Sequence, residues 1–191
     1  MTLAAQIDNT PFLYTVLAIL FAIGQTMTAK AESIPSAYQG IAIEYGIPSS
    51  ILYGIAYAES GKKIRPGVYR PWPWTLNVAG VPRRYPTRKL AYQGLMHFLK
   101  KGIKSIDIGL MQVNWRYHHK KLGTPWQALE PFNNTRTGAR ILRDEYQIVG
   151  DWTKAIGRYH SPGQKPAQKK RALRYCKRVM KHIDRITKKK T

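Results

Sequence analysis

Apolar residues recur at helical spacing through most of this chain. Ile34–Tyr45 reads as a short helix, stopped by Gly46 and Pro48. Ser49 or Ser50 suits an N-cap for Ile51–Ser60, where Ile51, Ile55 and Ala58 share a face and Gly61 ends the run. From Lys62 to Pro86 five prolines break the pattern and predict loop, with Trp74–Val78 as a short strand. Thr87 caps a predicted helix to Lys101, with Leu95, Phe98 and Leu99 inward and Gly102 as its stop. Ile106-Asp107-Ile108 alternates briefly and leads into Gly109, after which a helix is expected around Leu110–His118. Pro125 starts another turn. Asn133 or Asn134 is placed to cap Thr135–Ile148, and Asp151 to cap Trp152–Tyr159. The last helix, Lys165–Lys188, carries Leu173, Cys176, Met180 and Ile183 as its apolar stripe. The fold class that follows is α+β, predominantly α, with a small strand region between the second helix and the segment after Gly109.

Composition narrows the chemistry. The chain has 191 residues, enough for one good core, and 32 Lys or Arg against 10 Asp or Glu, a net charge of +22. Such an imbalance calls for an anionic partner: nucleic acid, an acidic membrane face or an acidic polymer. The single cysteine, Cys176, excludes an internal disulfide and a cysteine-based zinc cluster, and sits where it is expected to be buried. His118-His119 has no companion ligands at metal spacing, so no metal site is expected. Trp126 and Trp152 are expected in the core. Pro11–Gly24 is uncharged and apolar but short for a membrane span, and Ala29-Lys30-Ala31 follows it. The expectation is a signal peptide over residues 1–31, a domain over 32–163 and a basic C-terminal helix over 164–191, packed on or extending that domain, in an exported, periplasmic protein. The n-region departs from the usual pattern, holding Asp8 and no Lys or Arg.

Few carboxylates are left for acid or base work. Glu59 falls in the last turn of a mostly apolar helix, where the negative helix end and desolvation both favour its protonated form. That is the state a general acid for glycosidic cleavage needs, although a solvated glutamate at a frayed helix end fits the spacing equally. Asp107 is the other candidate, placed either to cap a turn or to act on sugar.

Three segments then occur in order: Ala58-Glu59-Ser60-Gly61, Ile108-Gly109-Leu110-Met111-Gln112-Val113-Asn114, and Ala155-Ile156-Gly157-Arg158-Tyr159-His160-Ser161. Together they resemble the soluble lytic transglycosylase domain, related to goose-type lysozyme. The wording is closest to the small exported transglycosylases that accompany type IV secretion and conjugation systems. The resemblance implies a lysozyme-like domain that cleaves peptidoglycan between N-acetylmuramic acid and N-acetylglucosamine without water, leaving 1,6-anhydro ends, with no cofactor and no metal. Glu59 aligns with the family's sole catalytic acid. Ser60 would hold the helix end or the substrate, Met111 would pack on substrate or core, and Gln112 and Asn114 would lie on a helix flooring the sugar cleft. Tyr159 matches the tyrosine that approaches the acid. The family's usual Ala-Tyr-Asn-Ala-Gly ending is replaced here, which makes His160 a substitute for the asparagine. Trp72 and Trp74 are placed either to stack on sugars or to pin their loop. The implied partners are peptidoglycan strands, secretion or conjugation components, and an anionic membrane surface reached by the C-terminal basic helix. A hydrolytic muramidase of the same fold and a basic nucleic-acid-binding conjugation factor are the alternatives. The export segment, and the lack of a recognisable DNA-binding motif, disfavour nucleic acid.

Overall fold

The computed structural model describes residues 33–187. The Pro11–Gly24 segment, the Ala29-Lys30-Ala31 motif and Lys188–Lys190 lie outside the described residues. Helix α1 (Ser36–Tyr45) starts after Pro35 and ends at Gly46, whose left-handed backbone (φ 61°) turns its N–H back onto the last carbonyls. Helix α2 (Ser49–Ser60) begins after Pro48, so Ser49 and Ser50 are its first turn and not its cap. It is buried over nearly its whole circumference, through Leu52, Tyr53, Ile55, Ala56 and Tyr57. A helix apolar all round must be a central element, and every other layer is arranged about it.

The segment expected as loop is two hairpins. β1 (Gly61–Arg65) pairs antiparallel with β2 (Val68–Pro71), with a register shift between Lys63 and Arg65. β3 (Thr75–Val78) pairs with β4 (Val81–Arg84) across Ala79-Gly80. The prolines are compatible with this because Pro66, Pro73 and Pro86 lie in turns and bends, Pro71 ends β2 and Pro82 sits in the exposed outer strand β4, where a missing N–H costs little. β3 also pairs with β5 (Ile106–Ile108), and β5 with β6 (Val113–Asn114), giving an antiparallel sheet ordered β4-β3-β5-β6. All of its strands but β4 reach the core, through Leu76, Val78, Ile106, Ile108 and Val113.

Helix α3 (Arg88–Lys100) is capped by the Thr87 hydroxyl, which accepts from the Leu90 N–H. No helix runs from Leu110. Gly109 (φ 79°) and Gln112 (φ 45°) stand in the left-handed region, which a right-handed helix excludes, and they make a tight turn between β5 and β6. Helix α4 (Trp115–Leu122) begins only afterwards, with Asn114 as its cap. A short helix, α5 (Pro125–Ala128), carries a Thr124/Gln127 capping box. Helix α6 (Pro131–Val149) starts earlier than expected because Glu130 caps it, each carboxylate oxygen accepting one backbone N–H, from Phe132 and Asn133. Helix α7 (Trp152–His160) is capped by Asp151 as its sequence predicts. The domain is α+β and predominantly α.

Helix α8 (Pro166–Thr187) lies against α2 and α7. Its buried stripe is Tyr175, Cys176, Val179, Ile183 and Ile186. Leu173 (58 % exposed) and Met180 (39 %) sit off that stripe. The packing with α2 is close: a Cβ at Gly54 would come within 2.6 Å of Ile183 Cγ1. Trp152 packs on Tyr146 and the core, whereas Trp126 is 43 % exposed and stacks against Arg88 and Tyr92. No described helix is long and apolar enough to cross a membrane.

Candidate active site

Glu59 is placed by the end of α2. Its neighbour Ser60 is fully buried, with its hydroxyl 3.0 Å from the Ala56 carbonyl and 2.8 Å from that of Leu110. Ser60 therefore ties the helix end to the Gly109–Gln112 turn and does not reach a substrate. Gly61 then leaves the helix in an extended conformation and begins β1. The Glu59 side chain, half-buried, opens into a cleft of about 830 Å³. Burial pushes its carboxyl up to about 7, and the charge of Asp107 adds to this. The Tyr175 hydroxyl and the Arg178 guanidinium act in the opposite direction, favouring the carboxylate. The acid is thus balanced between its two protonation states near neutral pH.

The floor of the cleft is the turn between β5 and β6. Gly109 donates its N–H to the Thr75 carbonyl (2.8 Å). A Cβ at Gly109 would fall 2.5 Å from the Asn134 side chain, so both its backbone angle and its surroundings require glycine. Asn134, buried inside α6, accepts from the Met111 N–H and donates to the Ile108 and Ala128 carbonyls. It is a core bracket for the turn, not the helix cap its sequence suggested. Gln112 lines the cleft, but its amide nitrogen is committed to the Gly109 and Thr75 carbonyls (2.9 and 3.2 Å). Asn114 also lines it, donating to Asp107 Oδ1 (2.7 Å) while its own oxygen caps α4. Both residues stand on the turn and strand β6, not on a helix. Met111 is fully buried, and a Cβ at Gly138 of α6 would come within 2.6 Å of it, so it belongs to the core and not to the sugar site.

Helices α7 and α8 close the acid's other side. The Tyr159 hydroxyl donates to the Met111 carbonyl at 2.7 Å. Burial, then the charges of Glu59 and Asp107, hold its proton on tightly. His160 is exposed and lines the cleft. Its ring stacks flat on Tyr175, with centroids 4.6 Å apart and planes 4° from parallel. The Tyr175 hydroxyl is buried and lies close enough to Glu59 for each to perturb the other's proton. Burial, followed by Arg178 and Arg171, lowers the His160 pKa and favours the neutral ring. Spacing alone does not single out Tyr175 or Arg178, because a tyrosine and an arginine on a long basic helix carry no motif of their own. Tyr175 stands one position before Cys176, on the stripe that the spacing pointed to.

Trp72 and Trp74 do not line the cleft. They meet edge to face at 5.5 Å; the Trp72 indole donates to the Tyr85 carbonyl, and Lys62 lies over its ring. They pin the hairpins together. Asp107 does line the cleft, and only its Oδ1 has a protein partner. Tyr117, 73 % exposed, and His118 form part of the rim.

No curated protein and no solved structure gives a significant match to this chain. The family model for the transglycosylase SLT domain matches residues 36–182, from the start of α1 into the last turns of α8. That span contains Glu59, the floor turn and both tyrosines, and the chain accordingly belongs to the SLT transglycosylase family, whose members act on peptidoglycan.

Proposed function

We propose that Glu59 is the catalytic acid of a lytic transglycosylase that cuts the bond from N-acetylmuramic acid to N-acetylglucosamine. The observation that carries this is the half-buried Glu59 carboxyl, pushed up to about 7, in the cleft of a domain of this family. Protonated Glu59 gives its proton to the bridging oxygen as the C1–O bond breaks. The departing N-acetylglucosamine takes that oxygen as a hydroxyl, and the muramoyl N-acetyl oxygen shields the cation at C1. Glu59, now a carboxylate, accepts the proton of the muramoyl C6 hydroxyl, whose oxygen bonds to C1 and closes the 1,6-anhydro ring. The proton is returned and no water is consumed. An acceptor on the same sugar has a high effective concentration, so one carboxylate suffices.

Tyr159 holds the floor turn through Met111, Tyr175 sets the proton affinity of Glu59, and Gln112 presents its remaining amide oxygen to the sugar. The cut opens the wall locally for a secretion, pilus or conjugation apparatus. Export by the apolar N-terminal segment, with cleavage near Ala31, brings the enzyme to the periplasmic side.

One observation favours a hydrolytic second reading: Asp107 Oδ2 lacks a protein partner in the same cleft and is able to orient a water. Mass spectrometry of muropeptides released by the wild type separates the two. Anhydro ends support the lyase, and reducing ends support Asp107 as a base. Glu59→Gln is expected to abolish release of either product with the fold intact. Undiminished release by that variant removes Glu59 from the mechanism.

A further inference from the structure

The positive charge is not spread evenly. Between residues 60 and 106 there are eleven Lys or Arg and no Asp or Glu; from 165 to 191 there are twelve and one. From residue 32 onward the rest of the chain holds eight of each and is neutral. Each basic segment sends one arginine into the Glu59 cleft: Arg84 from β4 and Arg178 from α8.

A third arginine in that cleft shows what the other two lack. Arg158 is half-buried and paired with Glu145 at 2.6 Å. Arg84 and Arg178 have no carboxylate partner among the described residues. Arg84 is nonetheless held in place, donating through Nη2 to the Gly61 carbonyl at 3.0 Å, two residues beyond Glu59. Arg178 lies over the Tyr175 ring, 5.1 Å from its centroid. Of the acids lining the cleft, Glu145 is taken by Arg158 and Asp107 bonds Asn114 through Oδ1, while burial holds Glu59 toward its neutral form against the pull of Arg178. A glycan whose lactyl acids are tied up as amides is itself uncharged and leaves these two guanidinium groups, both exposed at the cleft, without an anion. A guanidinium in that state is a carboxylate receptor, able to take both oxygens at once.

We propose that Arg84 and Arg178 bind carboxylates of the peptide stems borne by the glycan, so that the cleft selects stem-bearing strands over bare ones. The inference rests on the peptidoglycan-cleaving reading above and assigns the stem as the second element recognised. Glycan and stem are then held together, the sugar over the floor turn and the stem acids on the two basic segments.

The test is a binding titration in the Glu59→Gln background, which needs no turnover. The probes are stem-bearing glycan strands and the same strands stripped by an amidase, with the lactyl carboxyl that stripping frees capped as its amide, at low and at high salt. At low salt the stem-bearing strands are expected to bind roughly tenfold tighter, with the difference shrinking as salt screens it. Arg84→Gln in that background brings the two affinities to within about twofold, and Arg84→Lys, which keeps the charge, retains part of the preference. The thermal midpoint of each variant checks that it is folded. Equal affinity for the two strands in the parent overturns the proposal, as does a preference that survives Arg84→Gln and Arg178→Gln together. Vesicles containing phosphatidylglycerol form the last arm: if Arg84→Gln weakens only vesicle binding, the arginines serve a membrane and the proposal falls. The catalytic reading fails separately, if wild type releases no anhydro ends.

Discussion

The two basic segments carry similar charge but are built in different ways. The hairpins from Gly61 to Arg84 touch the core through β3, while β1, β2 and β4 stand exposed and are held by local pairing and ring contacts. Helix α8 sinks one face between α2 and α7 and leaves only its other face charged. Charge therefore says little about what a segment supports. In α8 the same turns that expose Lys177 and Lys181 bury Tyr175 and Val179, so the acid's environment and the domain's stability rest on one element. The hairpins add Arg84 to the cleft and pin Trp72, and of their strands β3 alone places apolar side chains in the core.

Matched substitutions test that contrast, beginning with stability. Val179→Asp buries an unpaired charge at the contact of α8 with α2 and is expected to cost about 4 kcal/mol or more. Val81→Asp, at a valine 52 % exposed on β4, should stay within about 0.5 kcal/mol. Chemical denaturation measures both, and comparable losses would dissolve the distinction. In activity, Tyr175→Phe removes the hydroxyl at Glu59 and should lower kcat roughly tenfold with KM nearly unchanged. It should also move the falling limb of the pH profile upward, because the group favouring ionised Glu59 is gone. Tyr69→Phe on β2 loses a bond to the Gly61 carbonyl, worth about 1 kcal/mol of stability, and should leave that limb where it is.

Glu59 itself links activity to pH. Its folded pKa lies above its unfolded one, so the folded state binds the extra proton. Stability is then greatest at acid pH and falls as pH rises from about 4.5 through about 7. Glu59→Gln should be the more thermostable protein at pH 8, with the difference closing toward pH 4, as thermal melts at both pH values would reveal. The smallest effect is expected at His160. His160→Ala frees the Tyr175 ring and should cost roughly threefold in kcat, whereas His160→Phe keeps a stacked partner and should recover most of it. Equal losses would mean that the imidazole itself, not its stacking, is needed.

Helical spacing and caps made α1, α2, α3, α7 and α8 legible in sequence, and three short motifs marked Glu59, the floor turn and Tyr159. Strand β3 is legible as Trp74–Val78, but β1, β2 and β4 are not, because they are four or five residues long, largely exposed and mostly polar, so neither period appears. The turn at Gly109–Gln112 reads as helix because Leu110, Met111 and Val113 are apolar. What turns them is Asn134, which is 23 residues away from Met111 in sequence but directly bonded to its N–H. The stripe of α8 was misplaced because Tyr175 was not counted among the apolar positions, while Leu173 and Met180 were. Arg84 gave no signal at all, since only the β3–β4 register brings it beside Gly61.

The place of α8 in the chain also orders events in time. It follows every other described element, yet it supplies Tyr175 and Arg178 to a carboxyl lodged at the end of α2. During synthesis Glu59 emerges more than a hundred residues before the side chains that tune it. Until that helix docks, Glu59 lacks both the hydroxyl and the guanidinium that favour its ionised form. The final proton affinity of the acid is therefore set by the last described helix to be made.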